Sequence, residues 1–407
     1  MASSSSTGNG SSSGGSTTGV FDAGADAGLD AGPDAGFDAG FDAGFDGGEG
    51  DAGNAASLCD AGVGFLPPLR QLPAPGAPIA LAIHDIDGDG TQDLVVVSTH
   101  DSVVDVLLGN GRGYFGAATT YQTGASPTFV DVGDFNGDGI PDLAVANGDG
   151  NSVSVLLGED AGGFSAQTTY ATDLGPYGLV AVDVNNDGIL DLAVACSSGS
   201  DVGVLLGVGD GTFRSQMTYA AGSGPYYVVA GDLDGNGWMD LATANGKTDT
   251  VSVLINDGGT FYPQVTYTVG GGPSGMAIGD LTGDGKLDLA TPNYGDNTVS
   301  VLLGNGDGTF QSQLVTAVTA LGTRALAIGD INGDGKPDVV VTCDQSNVVT
   351  VLLGKGDGTF QPGVTYASGT EPYAVALGDL DGDGFLDIVT ANYDAGTVGV
   401  LFGGCAP

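Results

Sequence analysis

Positive charge is nearly missing from this chain. Eight Lys and Arg stand against 50 Asp and Glu, a formal charge of −42 over 407 residues. A surface this negative repels phosphate backbones and anionic headgroups, which argues against nucleic acid as a partner. Histidine is as scarce: His84 and His100 sit at unrelated positions and complete no nucleophile–base set. A lyase acting on acidic sugars would also lack its cationic clamp. Trp238 is the one tryptophan, which weakens a lectin reading built on indole stacking. No apolar run reaches the roughly 18 residues of a membrane-spanning helix. The first residues, Met1-Ala-Ser-Ser-Ser-Ser6, carry neither the charged nor the apolar region of a secretory signal. The expectation is a mature form given a new start, with any lipid anchor lying upstream.

Glycine is abundant, at 76 residues, which suits tight turns rather than long helices. Residues 1–58 are of low complexity. A Ser/Gly/Thr stretch precedes a period-four x-D-A-G run that includes Asp22, Asp26, Asp30, Asp34, Asp38, Asp42 and Asp46. A glycine in every tetrad and Pro33 oppose a helix. The segment is expected to be a disordered linker with a reach of roughly 40 Å.

From residue 59 onward the chain repeats. The pattern D-x-[DNT]-x-[DN]-G-x-x-D occurs seven times, about 49 residues apart. Position 1 is Asp85, Asp134, Asp183, Asp232, Asp280, Asp330 and Asp379. Position 3 is Asp87, Asn136, Asn185, Asp234, Thr282, Asn332 and Asp381. Position 5 is Asp89, Asp138, Asp187, Asn236, Asp284, Asp334 and Asp383. Position 7 varies: Thr91, Ile140, Ile189, Trp238, Lys286, Lys336 and Phe385. Position 9 is Asp93, Asp142, Asp191, Asp240, Asp288, Asp338 and Asp387.

Oxygen side chains at positions 1, 3 and 5, a carbonyl at 7 and a closing carboxylate at 9 make a cage for a hard cation. Calcium takes six to eight such oxygens in flexible geometry. Zinc would require His or Cys, which the loops lack. Up to seven Ca2+ ions are expected. The first and seventh loops hold four carboxylates and should bind tightest; the fifth, with Thr282, should bind weakest.

The third repeat shows the unit. Tyr177–Val182 reads as a strand, the acid loop follows, and Leu192–Cys196, Val202–Leu206 and Arg214–Tyr219 read as three more. Four short strands per period of 40–50 residues are the mark of a β-propeller blade. The fold class expected is all-β: a seven-bladed β-propeller of four-stranded antiparallel blades over residues 59–407. The seventh unit stops at Cys405 after its third strand, and its missing turn and strand lie at the front, from Cys59 through Phe65 to Leu72. An N-terminal strand should therefore complete the last blade. Cys59 and Cys405 then fall at the two cut ends of one turn, and a disulfide joining them is expected, in an oxidising compartment. Cys196 and Cys343 sit three blades apart and should be buried thiols.

Over about residues 62–407 these units resemble FG-GAP/VCBS repeats, which build the integrin α-subunit propeller and many bacterial extracellular proteins. The resemblance implies calcium in the loop between the first two strands, with ligands at positions 1, 3, 5, 7 and 9. It departs from integrins in that all seven repeats carry the loop.

The turns after the second and fourth strands should share the face opposite the acid loops. Tyr177, Tyr226, Tyr373 and Arg324 are placed there. The function expected is an extracellular or cell-surface calcium-binding module for adhesion or for binding a protein or other ligand. The alternative is a calcium-dependent lectin for surface or matrix glycans. A polysaccharide-active enzyme or a filament component ranks behind both.

Overall fold

The computed structural model describes residues 64–404. Seven four-stranded antiparallel sheets follow one another along the chain. The third can stand for all: Pro176–Val182, Asp191–Cys196, Asp201–Leu205 and Met217–Ala220, hydrogen-bonded in that order. Its fourth strand starts at Met217, so residues 214–216 lie outside the ladder. The expected seven-bladed propeller is observed. The first strands of successive blades touch each other around the ring, and that of blade 7, Pro372–Gly378, touches that of blade 1, Pro78–His84. Among the described residues no helix is long and apolar enough to cross a membrane.

Burial within a blade follows position. Second strands such as Asp191–Cys196 are buried at every residue, because they are covered by blades on both sides. Outermost strands alternate and stay largely exposed, as in Met217–Ala220. The buried residue five after each loop's last Asp is usually Asn. Asn147, Asn245 and Asn293 each donate from Nδ2 to a serine of the third strand, at 2.7–2.9 Å. Cys196 and Cys343 take the same position, and both are buried. Burial pushes the Cys343 thiol up to about 11, so it is an inert packing group.

Blade 7 is built from both ends of the chain. Leu66–Pro73 pairs antiparallel with Thr397–Phe402, as its fourth strand. Gly64 N–H donates to the Gly404 carbonyl at 3.1 Å, which extends that junction toward the chain ends. A repeated aromatic contact confirms the assignment. The outer-strand tyrosine of one blade meets, edge to face, the turn phenylalanine of the next: Tyr121 with Phe164, Tyr170 with Phe213, Tyr219 with Phe261 and Tyr267 with Phe310. Phe65 makes the same contact with Tyr366 of blade 6, with centroids 4.9 Å apart. Each such pair contributes roughly 0.5–1.5 kcal/mol beyond its buried area. Cys59 and Cys405, and the linker expected over residues 1–58, lie outside the described residues.

Candidate functional site

Every acid loop joins the first strand of a blade to the second. Its shape is set by its own carboxylates. The position-1 aspartate accepts the backbone N–H of position 6 in all seven loops, at 2.7–2.9 Å. The position-5 side chain accepts the N–H of position 7, as in Asp187 with Ile189 at 3.0 Å. Positions 4 and 6 both have positive φ, for example +73° at Gly88 and +85° at Gly90. Open space surrounds both glycines of the first loop, so backbone conformation and not crowding requires glycine there. Loop 3 has Asn186 at position 4, a residue that tolerates this conformation, at φ 53°.

The position-9 aspartates have a role that their spacing did not announce. Each opens the second strand, is at most 1% exposed, and accepts two backbone N–H groups. One comes from position 2 of its own loop and the other from the turn between the third and fourth strands. For Asp191 these are Val184 at 3.1 Å and Gly207 at 2.8 Å. The same pair of bonds recurs at Asp93, Asp142, Asp240, Asp288, Asp338 and Asp387. Burial pushes the Asp191, Asp240, Asp338 and Asp387 carboxyls up to about 7, against the pull of these N–H donors. A carboxylate oxygen has two lone pairs, so accepting an N–H leaves it able to bind a cation as well.

Neighbouring blades grip the loop too. The carbonyl of position 2 accepts from the next blade's turn: Gly113 N–H reaches Leu380, Gly211 reaches Phe135 and Gly308 reaches Leu233, at 2.9–3.0 Å. Asn256 Nδ2 reaches Val184 at 2.7 Å in the same way. Loop, own turn and neighbouring turn thus form one unit.

Carboxylate oxygens of positions 1, 3 and 9 converge within 4.8 Å in three blades: Asp85, Asp87 and Asp93; Asp232, Asp234 and Asp240; Asp379, Asp381 and Asp387. These are the loops with Asp at position 3. Loops 2, 3, 5 and 6 offer Asn136, Asn185, Thr282 and Asn332 there, neutral oxygens in place of a third charge. The fourth loop thus joins the first and seventh, although Asn236 replaces its position-5 carboxylate. An all-oxygen donor set of this density fits a hard divalent cation.

On the opposite face, pairing between the first and second strands slips one or two residues after the start of the first strand in six blades. Such bulges re-aim a side chain. The residues at the slip include Ile79, Thr128, Tyr177, Tyr226, Arg324 and Tyr373. Blade 5 breaks its pairing between Pro273 and Ala277, at Ser274. The structure brings the expected residues together and adds others. The Arg324 guanidinium lies 3.5 Å from the Tyr373 ring centroid, and Tyr294 stands farther off at 5.9 Å. Tyr373 stacks on Tyr393 at 4.5 Å, and the Tyr393 hydroxyl is 3.0 Å from His100 Nε2. Tyr177 meets Tyr226 edge-on at 5.2 Å and approaches Tyr227 at 6.5 Å.

Arg324 is 24% exposed and reaches Asp344 at 3.4 Å. Burial opposes its charge, but the phenols of Tyr177 and Tyr373 and the Asp344 carboxylate outweigh it and hold the guanidinium above its ordinary pKa. Tyr294 and Tyr393 lie in the varied turns after the second strand, on the face expected for those turns, whereas Tyr227 falls inside a run of apolar residues where spacing gives no signal.

Asp131 also went unforeseen, at a position where other blades have Ala or Val. Buried in blade 2, it accepts the N–H of Ala181 in blade 3 at 2.7 Å, and burial pushes its carboxyl up to about 8.

Comparison with known proteins bears on the whole chain. No curated protein matches it in sequence. Among solved structures it is similar to BBS1N in complex with ARL6DN, at 13% identity and a TM-score of 0.56 over 82% of this chain and 96% of that one. It is similar to a catalytically inactive virginiamycin B lyase from Staphylococcus aureus with quinupristin, at 16% identity and 0.56 over 82% and 98%. A putative 6-phosphogluconolactonase from Bacteroides fragilis aligns at 18% identity and 0.57 over 72% and 85%. At these identities the likeness is one of fold. The FG-GAP-like repeat family model matches six times, over residues 85–145, 134–194, 183–243, 232–291, 289–341 and 330–390. Three quarters of the sequence is covered by these matches, and the chain belongs to the FG-GAP-like repeat family.

Proposed function

We propose that this protein is an extracellular, calcium-bound propeller that binds a partner protein through the tyrosine-bearing face opposite its acid loops and is not an enzyme. FG-GAP propellers are generally protein-binding modules and generally extracellular, which supports the class. The observation that carries the choice of face is the presence of Tyr177, Tyr226, Tyr373 and Arg324, from four blades, on that one face. Half-buried tyrosines and arginine are the side chains most often responsible for binding energy at protein interfaces.

Calcium in the acid loops, held by positions 1, 3, 5, 7 and 9, would neutralise carboxylates that otherwise repel. Extracellular calcium suits such sites better than cytosolic levels do. Residues 1–58 would be the linker to a surface or to an upstream lipid anchor.

The test is capture from extracellular-matrix protein fractions in calcium, comparing the parent with Tyr226→Ala and Tyr373→Ala. The partner should be retained by the parent and lost, by tenfold or more in affinity, by both variants at unchanged melting temperature. Equal capture by all three would defeat the assignment of the face. A second reading, a lectin, is favoured by one feature, the parallel Tyr373–Tyr393 stack, which could receive a sugar face. Binding on a glycan array in calcium, with none to the protein fractions, would select it.

The Cys59–Cys405 disulfide is proposed on the Gly64–Gly404 hydrogen bond: Gly64 lies five residues after Cys59 and Gly404 one before Cys405. Peptide mapping without reductant should recover Cys59 joined to Cys405. Recovery of both as free thiols from protein made in an oxidising compartment would refute the pairing.

A further inference from the structure

The seven loops differ most at position 7, the residue that sequence logic leaves free because only its carbonyl is needed. That side chain lies along the turn between the third and fourth strands of its own blade. A Cβ placed on Gly111 would come within 2.8 Å of Thr91 Cγ2, and one on Gly209 within 3.0 Å of Ile189 Cδ1. In blades 5 and 6 the residue is lysine, and its stem takes the same course. A Cβ on Gly306 or Gly356 would meet Cδ of Lys286 or Lys336 at 3.0 or 3.2 Å. A lysine is long enough to bring its ammonium back to the loop. Lys286 Nζ lies 2.9 Å from Asp284 Oδ2, and Lys336 Nζ lies 3.7 Å from Asp334 Oδ2. The other oxygen of each aspartate accepts the lysine's own backbone N–H, at 3.1 and 3.0 Å. Both oxygens of the position-5 ligand are thereby engaged.

We infer that Lys286 and Lys336 are resident counter-ions that make blades 5 and 6 the low-affinity cation loops of the ring. The inference rests on the calcium reading above and deepens it. These loops carry three carboxylates and one ammonium, whereas loops 1 and 7 carry four carboxylates and no ammonium. Ligand charge is what tunes calcium affinity in loops of this kind. A unit charge about 5 Å from a divalent ion, in surroundings close to water, changes affinity by about tenfold. The ammonium also shields the carboxylates of blades 5 and 6 when no calcium is present.

The experiment uses the full chain and calcium alone as probe. Isothermal titration would compare the parent with Lys286→Ile, Lys336→Ile and the double variant; isoleucine is the native residue at this position in blades 2 and 3. Lys286→Arg serves as the charge-keeping control. Two weak sites should tighten by about tenfold in the double variant, with the remaining sites unmoved and the arginine control like the parent. In excess chelator the same double variant should melt lower, by roughly 1–2 °C per lysine. A titration that superimposes on the parent's would overturn the inference, as would tightening in the arginine control. No uptake by the parent would sink the calcium reading itself; the counter-ion role would then stand or fall on the melt in chelator alone.

Discussion

Excess chelator should lower the melting temperature of the calcium-loaded protein by about 10 °C or more. Three loops bring carboxylate oxygens of three aspartates within 4.8 Å of one another, and each is locked to the turn of its own blade. Without a cation, that repulsion acts on the unit that also holds the next blade. A ligand present at 100 times its dissociation constant stabilises by about 2.7 kcal/mol per site. Three such sites give about 8 kcal/mol, and a domain of this size shifts by roughly 1.4 °C per kcal/mol. Calorimetry in millimolar calcium and in excess chelator measures the difference directly. Superimposed melts would remove calcium from any part in stability, while leaving the fold unaffected.

The largest effect of one substitution is expected at position 9. Asp191→Ala should destabilise the protein by about 3–6 kcal/mol even in chelator, because Val184 N–H and Gly207 N–H would both be left buried without an acceptor. Asp187→Ala, in the exposed part of the same loop, should cost less than about 1 kcal/mol under those conditions. Asp191→Asn keeps one acceptor oxygen and should fall between. Urea unfolding of the three variants in chelator separates a buried hydrogen-bond anchor from a simple ligand. Equal losses at 187 and 191 would show that position 9 serves the cation alone.

The contrast between these two aspartates also marks what the sequence made legible. Repeat length, strand patterning and the fourth-strand position of residues 66–73 could be read because they follow from periodicity and from one displaced Phe65. The acid loops were visible for the same reason, as spacing within nine residues. The second partner of Asp191 lies sixteen residues on, in a glycine-rich turn whose backbone N–H leaves no trace in a side-chain pattern. The lysines of blades 5 and 6 could be seen, but their reach could not, because it depends on the turn that their stems cross. Asp131 breaks the repeat without forming a motif, and its partner, the Ala181 N–H, is again backbone. On the face opposite the acid loops, Tyr177, Tyr226 and Tyr373 stood out as a column of the repeat. The turn that carries Tyr393 could be placed on the same face, but not its stacking on Tyr373, which no spacing records.

The closing strand has a consequence for the order of events during synthesis. Among the strands of the propeller Leu66–Pro73 is made first, and its partner Thr397–Phe402 is made last. Six blades can pair locally, each strand with the one just before it. The first-made strand of the propeller must wait for the whole ring, and contacts so distant in sequence form slowly. Until they form, Thr397–Phe402 is a bare edge with a buried-type sequence, open to the equivalent strand of another chain. The vulnerable moment of the propeller is therefore the interval between the emergence of Thr397–Phe402 and its pairing with Leu66–Pro73.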